Sequence, residues 1–434
     1  MRIITAVLLS ALVASPAPAA TPGYGGRSQI GQLIRQLDSL GPLKTGFVQR
    51  QPLIKKLIAF LRPGLSVKDD VKRLESVVKN VEDFFGEPVS SLQHPALKDG
   101  PRMRVEKAMA LVRYGRRPSE VTEEFIRTQA TIEGTTLDPR DIFVQRWRPI
   151  GTPSGKMVVV GPGFPQTGRS YYEQIQLLNK QGHEVVVFDQ QWSGYTAGPE
   201  GVKKGGIDSA EGIARDYADV AAYANGILEK EYGDHPKKQL ILTGTSMGGG
   251  SGVVGALRMY DSLNQKGERV LKLGPGQSIP ANRAWVAVSA FFGATNSRVN
   301  RALGLLDKIP WVRNWPLPLL GLPILNRDRL TNTKLADHAA AEDVRSRAQA
   351  LSAALPGLQR IMTLVNKDGA PAGRGMFLHS EKDDLADPEL VKGLARKLGS
   401  TVRLKLIPGH NHLFDETAGQ QQHLVDAIAA LTKD

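Results

Sequence analysis

The sequence predicts an α/β protein with a mostly parallel central sheet covered by helices on both faces. Three observations carry this. From about Phe125 onward, strand-like and helix-like segments alternate. The central strand-like segments are apolar throughout, as strands buried on both faces must be. The turns between them are rich in Gly, Pro, Ser and Asp, which end one element and start the next. A helical accessory region over residues 20–124 precedes this domain, and a helical insertion over about 295–369 interrupts it.

The elements follow in order. In "SVKDDVKRLESVVKNVEDFFGEP", Val67, Val71, Leu74, Val78, Val81 and Phe85 recur at helical spacing. Ser66 caps its start, and Gly86 and Pro88 end it. Ile30, Leu33, Ile34 and Leu37 mark an earlier helix, and Val105, Met109 and Val112 a later one. These stripes read as packing faces. "DIFVQRWRP" is then a strand, "IGTPSG" a turn and "KMVVVGPGF" a buried strand. "QIQLLNKQG" is a helix and "HEVVVFD" a strand. "SAEGIARDYADVAAYANGILEKEYG" is a long helix and "QLILTG" a strand. "MGGGSGVVGALRMYDSLNQ" is a helix and "AWVAVSAFFG" a strand. The alternation stops between about Thr295 and Gly369 and then resumes. "RGMFLHS" is a strand, "DPELVKGLARKLG" a helix, "VRLKLIPG" a strand and "ETAGQQQHLVDAIAALTKD" the closing helix.

The chain's start has the form of a secretory signal peptide. Arg2 is followed by a short apolar run from Ile3 to Val13, and Ala17-Pro18-Ala19 gives a small-x-small cleavage pattern. Cleavage is expected after Ala19. The run falls short of the ~20 apolar residues that span a bilayer. None of the 434 residues is cysteine, which excludes thiol chemistry and thiolate metal sites. A large cysteine-free chain with a leader fits a bacterial protein exported to the periplasm or the medium. The net charge of +13 is scattered over the sequence. It suits peripheral contact with an anionic membrane. Export and the lack of a basic tract interleaved with aromatics argue against nucleic acid.

Two motifs overlap in "LTGTSMGGGSGVVG". Gly250-Ser251-Gly252-Val253-Val254-Gly255 fits G-x-G-x-x-G, but a dinucleotide fingerprint begins where its strand ends. Here the strand stops several residues earlier, and no acidic residue closes a second strand downstream. No Gly-Lys-Ser/Thr is present for a phosphate loop. Gly244-Thr245-Ser246-Met247-Gly248 fits G-x-S-x-G, with a buried strand before it and a helix after. In such a turn the serine is strained and its hydroxyl is lifted clear of the sheet. Gly244 and Gly248 are needed because side chains there would collide.

A nucleophilic serine needs a base, and the base an orienting acid. "FLHSEKDDLADP" places Asp383 and Asp384 just past one late strand. "LIPGHNHLF" places His410 and His412 past the next. Loops at the carboxyl ends of parallel strands build the sites of such sheets. Asp383 is the expected acid. His410, which follows Gly409 directly, is the favoured base, with His412 the alternative. An extended loop turns the two imidazoles to opposite sides, so one of them faces Ser246. Met247 supplies one oxyanion N–H and Phe164 the other. Pro165 has no N–H to offer.

With these residues in view, the sequence resembles the α/β-hydrolase superfamily. Within it, the chain is similar to the group of monoacylglycerol lipases, lysophospholipases and serine aminopeptidases. The resemblance rests on "VVVGPGFPQTGRSYYEQIQLLNKQGHEVVVFDQQWSGYTAG", "ARDYADVAAYANGI", "LILTGTSMGGGSG", "LHSEKDDLADP" and "PGHNHLF", and covers about residues 125–434. The group's His-Gly turn is here Pro162-Gly163, and its Arg-Gly is replaced within Gln191-Trp192-Ser193-Gly194. The resemblance implies a helical cap at the 295–369 insertion, placed over the site. Trp311, Trp315, Leu317, Leu319, Leu320 and Leu322 would then line an acyl slot. It also implies a serine hydrolase of lipid-like monoesters that needs no cofactor or metal. A serine aminopeptidase, with Glu381, Asp384 or Asp387 receiving a substrate amine, is the alternative. A non-catalytic binding protein on the same scaffold is another.

Overall fold

The computed structural model describes residues 71–94, 101–129, 139–292, 348–368 and 373–432, apart from 165, 192, 197–206, 267–268, 275–276, 281–283, 384–385, 409–411 and 413–418. The chain divides into two compact units, Met1–Val121 and Thr122–Asp434. In the first, helices α1 (Val71–Phe85) and α2 (Pro101–Tyr114) pack together. Val78 and Val81 of α1 and Ala108 and Leu111 of α2 are buried. α1 ends at Gly86, whose φ of +67° is the left-handed conformation that closes a helix without strain. The leader and the Ile30–Leu37 stripe lie outside the described residues.

The second unit is built on one sheet. Its strands are β1 (Val121–Arg127), β2 (Asp141–Trp147), β3 (Lys156–Gly161), β4 (Glu184–Phe188) and β5 (Gln239–Thr245), then β9 (Ala284–Val288), β10 (Arg374–Ser380) and β11 (Val402–Ile407). Their order is β1-β2-β4-β3-β5-β9-β10-β11. β4, β3, β5, β9, β10 and β11 run parallel, and β2 is antiparallel to β4. Every residue of β4 and β9 is buried, which is what an apolar run covered on both faces requires. At the outer edge β11 leaves Arg403 exposed, and its sequence alternates accordingly.

Helices α3 (Tyr172–Lys180), α4 (Ala210–Tyr232), α5 (Gly255–Met259), α6 (Ala348–Asp368), α7 (Pro388–Leu398) and α8 (Gly419–Thr432) complete the domain. Ser209 caps α4, its hydroxyl accepting from Gly212 N. Small residues Ala214, Ala218, Ala221 and Ala224 give α4 a buried face. Tyr217 on that helix donates to Thr243 O of β5 at 2.8 Å. A Cβ on Gly161 would lie 2.5 Å from the Tyr217 ring, so the glycine makes room for it.

Three expectations need correcting. The segment 247–265 is not one helix. It is a π-helical turn over Gly248–Val254, then the short α5, then strand β6 (Asp261–Leu263). β6 pairs with β7 (Arg269–Gly274), and β7 with β8 (Gln277–Pro280), in a small antiparallel sheet. The three-residue spacing of Leu257, Tyr260 and Leu263 imitates a helix, but Leu263 is exposed. β1 is a strand that the sequence pattern does not predict. It sits at the sheet edge with mixed polarity, and its buried Glu123 accepts from Gln145 Nε2. The expected insertion also ends too late. α6 puts Ala354, Leu358, Ile361 and Val365 into the main core and packs on α4 and α5. Residues 348–368 are thus a layer of the domain, and residues 293–347 lie outside the described ones.

Candidate active site

Ser246 directly follows β5 and has φ of +55°, a left-handed conformation rare for a residue with a side chain. The backbone around it over-determines that strain. Ser246 N donates to Val288 O at 2.9 Å, at the end of β9. Ser246 O accepts from Gly249 N at 3.0 Å, Gly250 N at 2.9 Å and Phe291 N at 3.0 Å. The flanking glycines are required by contact rather than flexibility. A Cβ on Gly244 would lie 2.2 Å from Gly248 O, and one on Gly248 would lie 2.3 Å from Pro162 O. Both obstacles are backbone, which cannot swing away. Gly248→Ala is therefore expected to lower stability by about 3 kcal/mol or more. Gly226→Ala is the contrasting case. Gly226 lies inside α4, and a Cβ added there would meet nothing within 4 Å, so alanine should add up to about 1 kcal/mol. Urea unfolding midpoints of the two variants check both signs.

The serine has a histidine within reach. His412 Nε2 lies 2.8 Å from Ser246 Oγ. On the other side, His412 Nδ1 lies 2.9 Å from Asp383 Oδ2 and 3.0 Å from Oδ1. All three side chains are buried. With a carboxylate as its partner, Nδ1 carries the proton, and Nε2 presents its lone pair to the serine O–H. Asp383 Oδ1 also accepts from Ala386 N at 2.8 Å, which closes the loop after β10 onto the acid.

The favoured base has to be corrected. His412, the alternative, is the histidine that the structure places against Ser246, and His410, the favoured one, lies outside the described residues. β11 ends at Ile407. Asp384, the acid's neighbour, is also outside the described residues.

The loop after β3 passes directly over the serine. A Cβ on Gly163 would lie 3.2 Å from Ser246 Cβ. Gly163 N is already committed, to Gln166 Oε1 at 3.1 Å and Tyr171 Oη at 3.0 Å. Tyr171 in turn donates to Gln166 Oε1. Gln190 Nε2 donates to Pro162 O at 2.6 Å. Burial pushes the Tyr171 hydroxyl up to about 12, so it stays a neutral donor. Asp189, at the end of β4, ties down the far side of this loop. It accepts from Gly168 N and Tyr195 N, each at 2.9 Å, and lies 3.5 Å from Arg169. Burial raises its carboxyl above the ordinary aspartate range, while Arg169 and the two N–H groups pull the other way.

Phe164, the expected second oxyanion donor, directly follows the committed Gly163 and is half-buried. Met247, the first donor, opens the helical turn behind the serine. Among the described residues, neither N–H has a protein acceptor. Sequence reasoning missed Gln166, Tyr171 and Gln190. The available signal was a run of amide and phenol side chains in "FPQTGRSYY" and "DQQ", beside a loop that must hold one shape. Trp311, Trp315, Leu317, Leu319, Leu320 and Leu322 lie outside the described residues.

Residues 152–417 match the family model described as serine aminopeptidase, S33. No curated protein matches the chain in sequence. Among solved structures, the chain is similar to a soluble variant of monoglyceride lipase from Saccharomyces cerevisiae in complex with a substrate analogue. Identity is 16%, the match covers 71% of this chain and 97% of that one, and the TM-score is 0.50. A thermophilic esterase from Thermogutta terrifontis is also similar, at 15% identity, 71% and 100% coverage and a TM-score of 0.46. The monoacylglycerol lipase of Paleococcus ferrophilus follows at 17% identity, 67% and 98% coverage and a TM-score of 0.42. At such identities the Saccharomyces structure speaks for a shared fold alone.

Proposed function

The chain belongs to the serine aminopeptidase family, S33, a family of α/β-hydrolases, and we propose on that premise that it hydrolyses carboxylic esters through an acyl-enzyme on Ser246. The observation that carries this reading is the unbroken chain Ser246 Oγ, His412 Nε2, His412 Nδ1, Asp383. Ser246 Oγ attacks the ester carbonyl carbon, and its proton passes to His412 Nε2. The carbonyl oxygen becomes an oxyanion that accepts from the N–H groups of Met247 and Phe164. Collapse of this intermediate breaks the bond to the alcohol oxygen, which takes the proton from His412. Water, deprotonated by the same nitrogen, then releases the acid and restores Ser246. Asp383 keeps His412 in the useful tautomer and steadies the imidazolium.

For substrate we propose lipid-like monoesters such as monoacylglycerols or lysophospholipids, with Trp311, Trp315 and Leu319 sheltering the acyl chain. An aminopeptidase needs a carboxylate for the substrate amine. Of the expected ones, Asp387 is engaged at the start of α7, where it accepts from Glu389 N at 2.9 Å, and Glu381 is exposed. We place the mature protein outside the cytoplasm of a bacterial cell, after cleavage behind Ala19, with its positive charge favouring anionic membrane surfaces. A panel of p-nitrophenyl esters, monoacylglycerols, lysophospholipids and aminoacyl anilides tests the substrate class. The expected result is faster cleavage of esters than anilides, rising with acyl length because each sheltered CH₂ contributes ~0.8 kcal/mol. Preference for the anilides would replace the esterase reading with the aminopeptidase one.

A further inference from the structure

A second histidine stands behind the acid. His379 lies on β10, four residues before Asp383, and is fully buried. Its Nε2 is 3.4 Å from Asp383 Oδ2 and 3.3 Å from Ala386 O. Ala386 N closes the circuit on Asp383 Oδ1 at 2.8 Å. Both neighbours of Nε2 are acceptors, so Nε2 must carry the ring proton. Nδ1 is buried and has no hydrogen-bond partner among the described residues. A second proton there would be an N–H with nothing to accept it, which is costly in the interior. The titratable groups acting on the ring are Asp383 and Asp387, which favour its charged form, and His412, which opposes it. Burial outweighs them and holds the ring below the ordinary histidine range. His379 is therefore a neutral donor to Ala386 O that also stands 3.4 Å from the oxygen receiving His412 Nδ1–H.

We propose that His379 is a positioning residue for the reaction: its Nε2–H, bonded to Ala386 O and set 3.4 Å from Asp383 Oδ2, holds the acid's carboxylate in the orientation that keeps His412 against Ser246. The inference rests on the reading of Ser246, His412 and Asp383 as the catalytic chain. A space-filling role would need only the ring's volume. A donor role needs the N–H, and glutamine can supply one at a similar reach whereas leucine cannot.

The test compares wild-type protein, His379→Gln and His379→Leu by acylation with a p-nitrophenyl ester across pH 5 to 9. For His379→Leu the expected result is a fall in kcat of about 5- to 10-fold at little change in KM, as for loss of one ordinary buried hydrogen bond. His379→Gln should stay within about threefold of wild type. Equal losses in both variants, or an unchanged His379→Leu, would overturn the proposal. Should His379→Leu fail to fold, ¹⁵N-histidine spectra of the wild-type protein still decide. The signal missing from His379→Gln must show a proton on Nε2 and none on Nδ1. A proton on Nδ1 refutes the inference. Failure of the parent reading looks different: wild-type protein would then not acylate on Ser246 at all.

Discussion

Ser246→Ala is expected to lower ester turnover by roughly 10⁴- to 10⁶-fold while leaving the fold intact. The hydroxyl is the only atom group removed, and its proposed role is to form the covalent bond to the substrate. The strained backbone at φ of +55° does not depend on the hydroxyl. It is held by Val288 O on one side and by three N–H groups on the other. Alanine carries the same Cβ as serine, so the turn loses no packing. Circular dichroism and the urea midpoint should match wild type. A variant that keeps a tenth of the wild-type rate would remove Ser246 from the reaction.

The second large effect separates the two histidines. His412→Gln should slow acylation by ~10³-fold or more, because the variant can neither take the serine proton nor return it to the leaving alcohol. His410→Gln should change the rate by less than about tenfold. The structure places His412 at 2.8 Å from Ser246 Oγ and against both oxygens of Asp383, so the order of effects follows from geometry. If His410→Gln proves to be the inactive variant, the reading of His412 as the base is wrong.

These two histidines also show where sequence reasoning reaches its limit. The strands that carry the site were legible because "MVVVG", "VVVF", "LILTG" and "WVAV" are apolar runs ended by turn residues, a pattern set by burial on both faces. Ser246 and Asp383 stand just after strand ends, and strand ends can be located from such runs. His412 stands five residues past Ile407, in a loop whose path depends on contacts with Ser246 and Asp383 that are distant in sequence. Local spacing favoured His410 and had no means to count the extra two residues. The same limit explains α6. Its stripe at 354, 358, 361 and 365 is visible in the sequence, but whether it faces a cap or the sheet depends on α4 and α5. Gln166, Tyr171 and Gln190 were missed because a polar side chain that pins a loop looks like any other polar side chain until its partner is known. The small sheet of β6, β7 and β8 was missed because three short strands of mixed polarity carry little periodic signal.

The central claim is that Ser246 is a nucleophile activated by His412. The most direct measurement is labelling of native protein with a fluorophosphonate probe, followed by mass spectrometry of the modified peptide. The probe accepts attack from an activated serine and stays bound to its oxygen. The account predicts labelling on Ser246 alone, lost in heat-denatured protein and strongly slowed in His412→Gln. Native protein left unlabelled at Ser246 would contradict it, and the chain would then be a binding protein on a hydrolase scaffold.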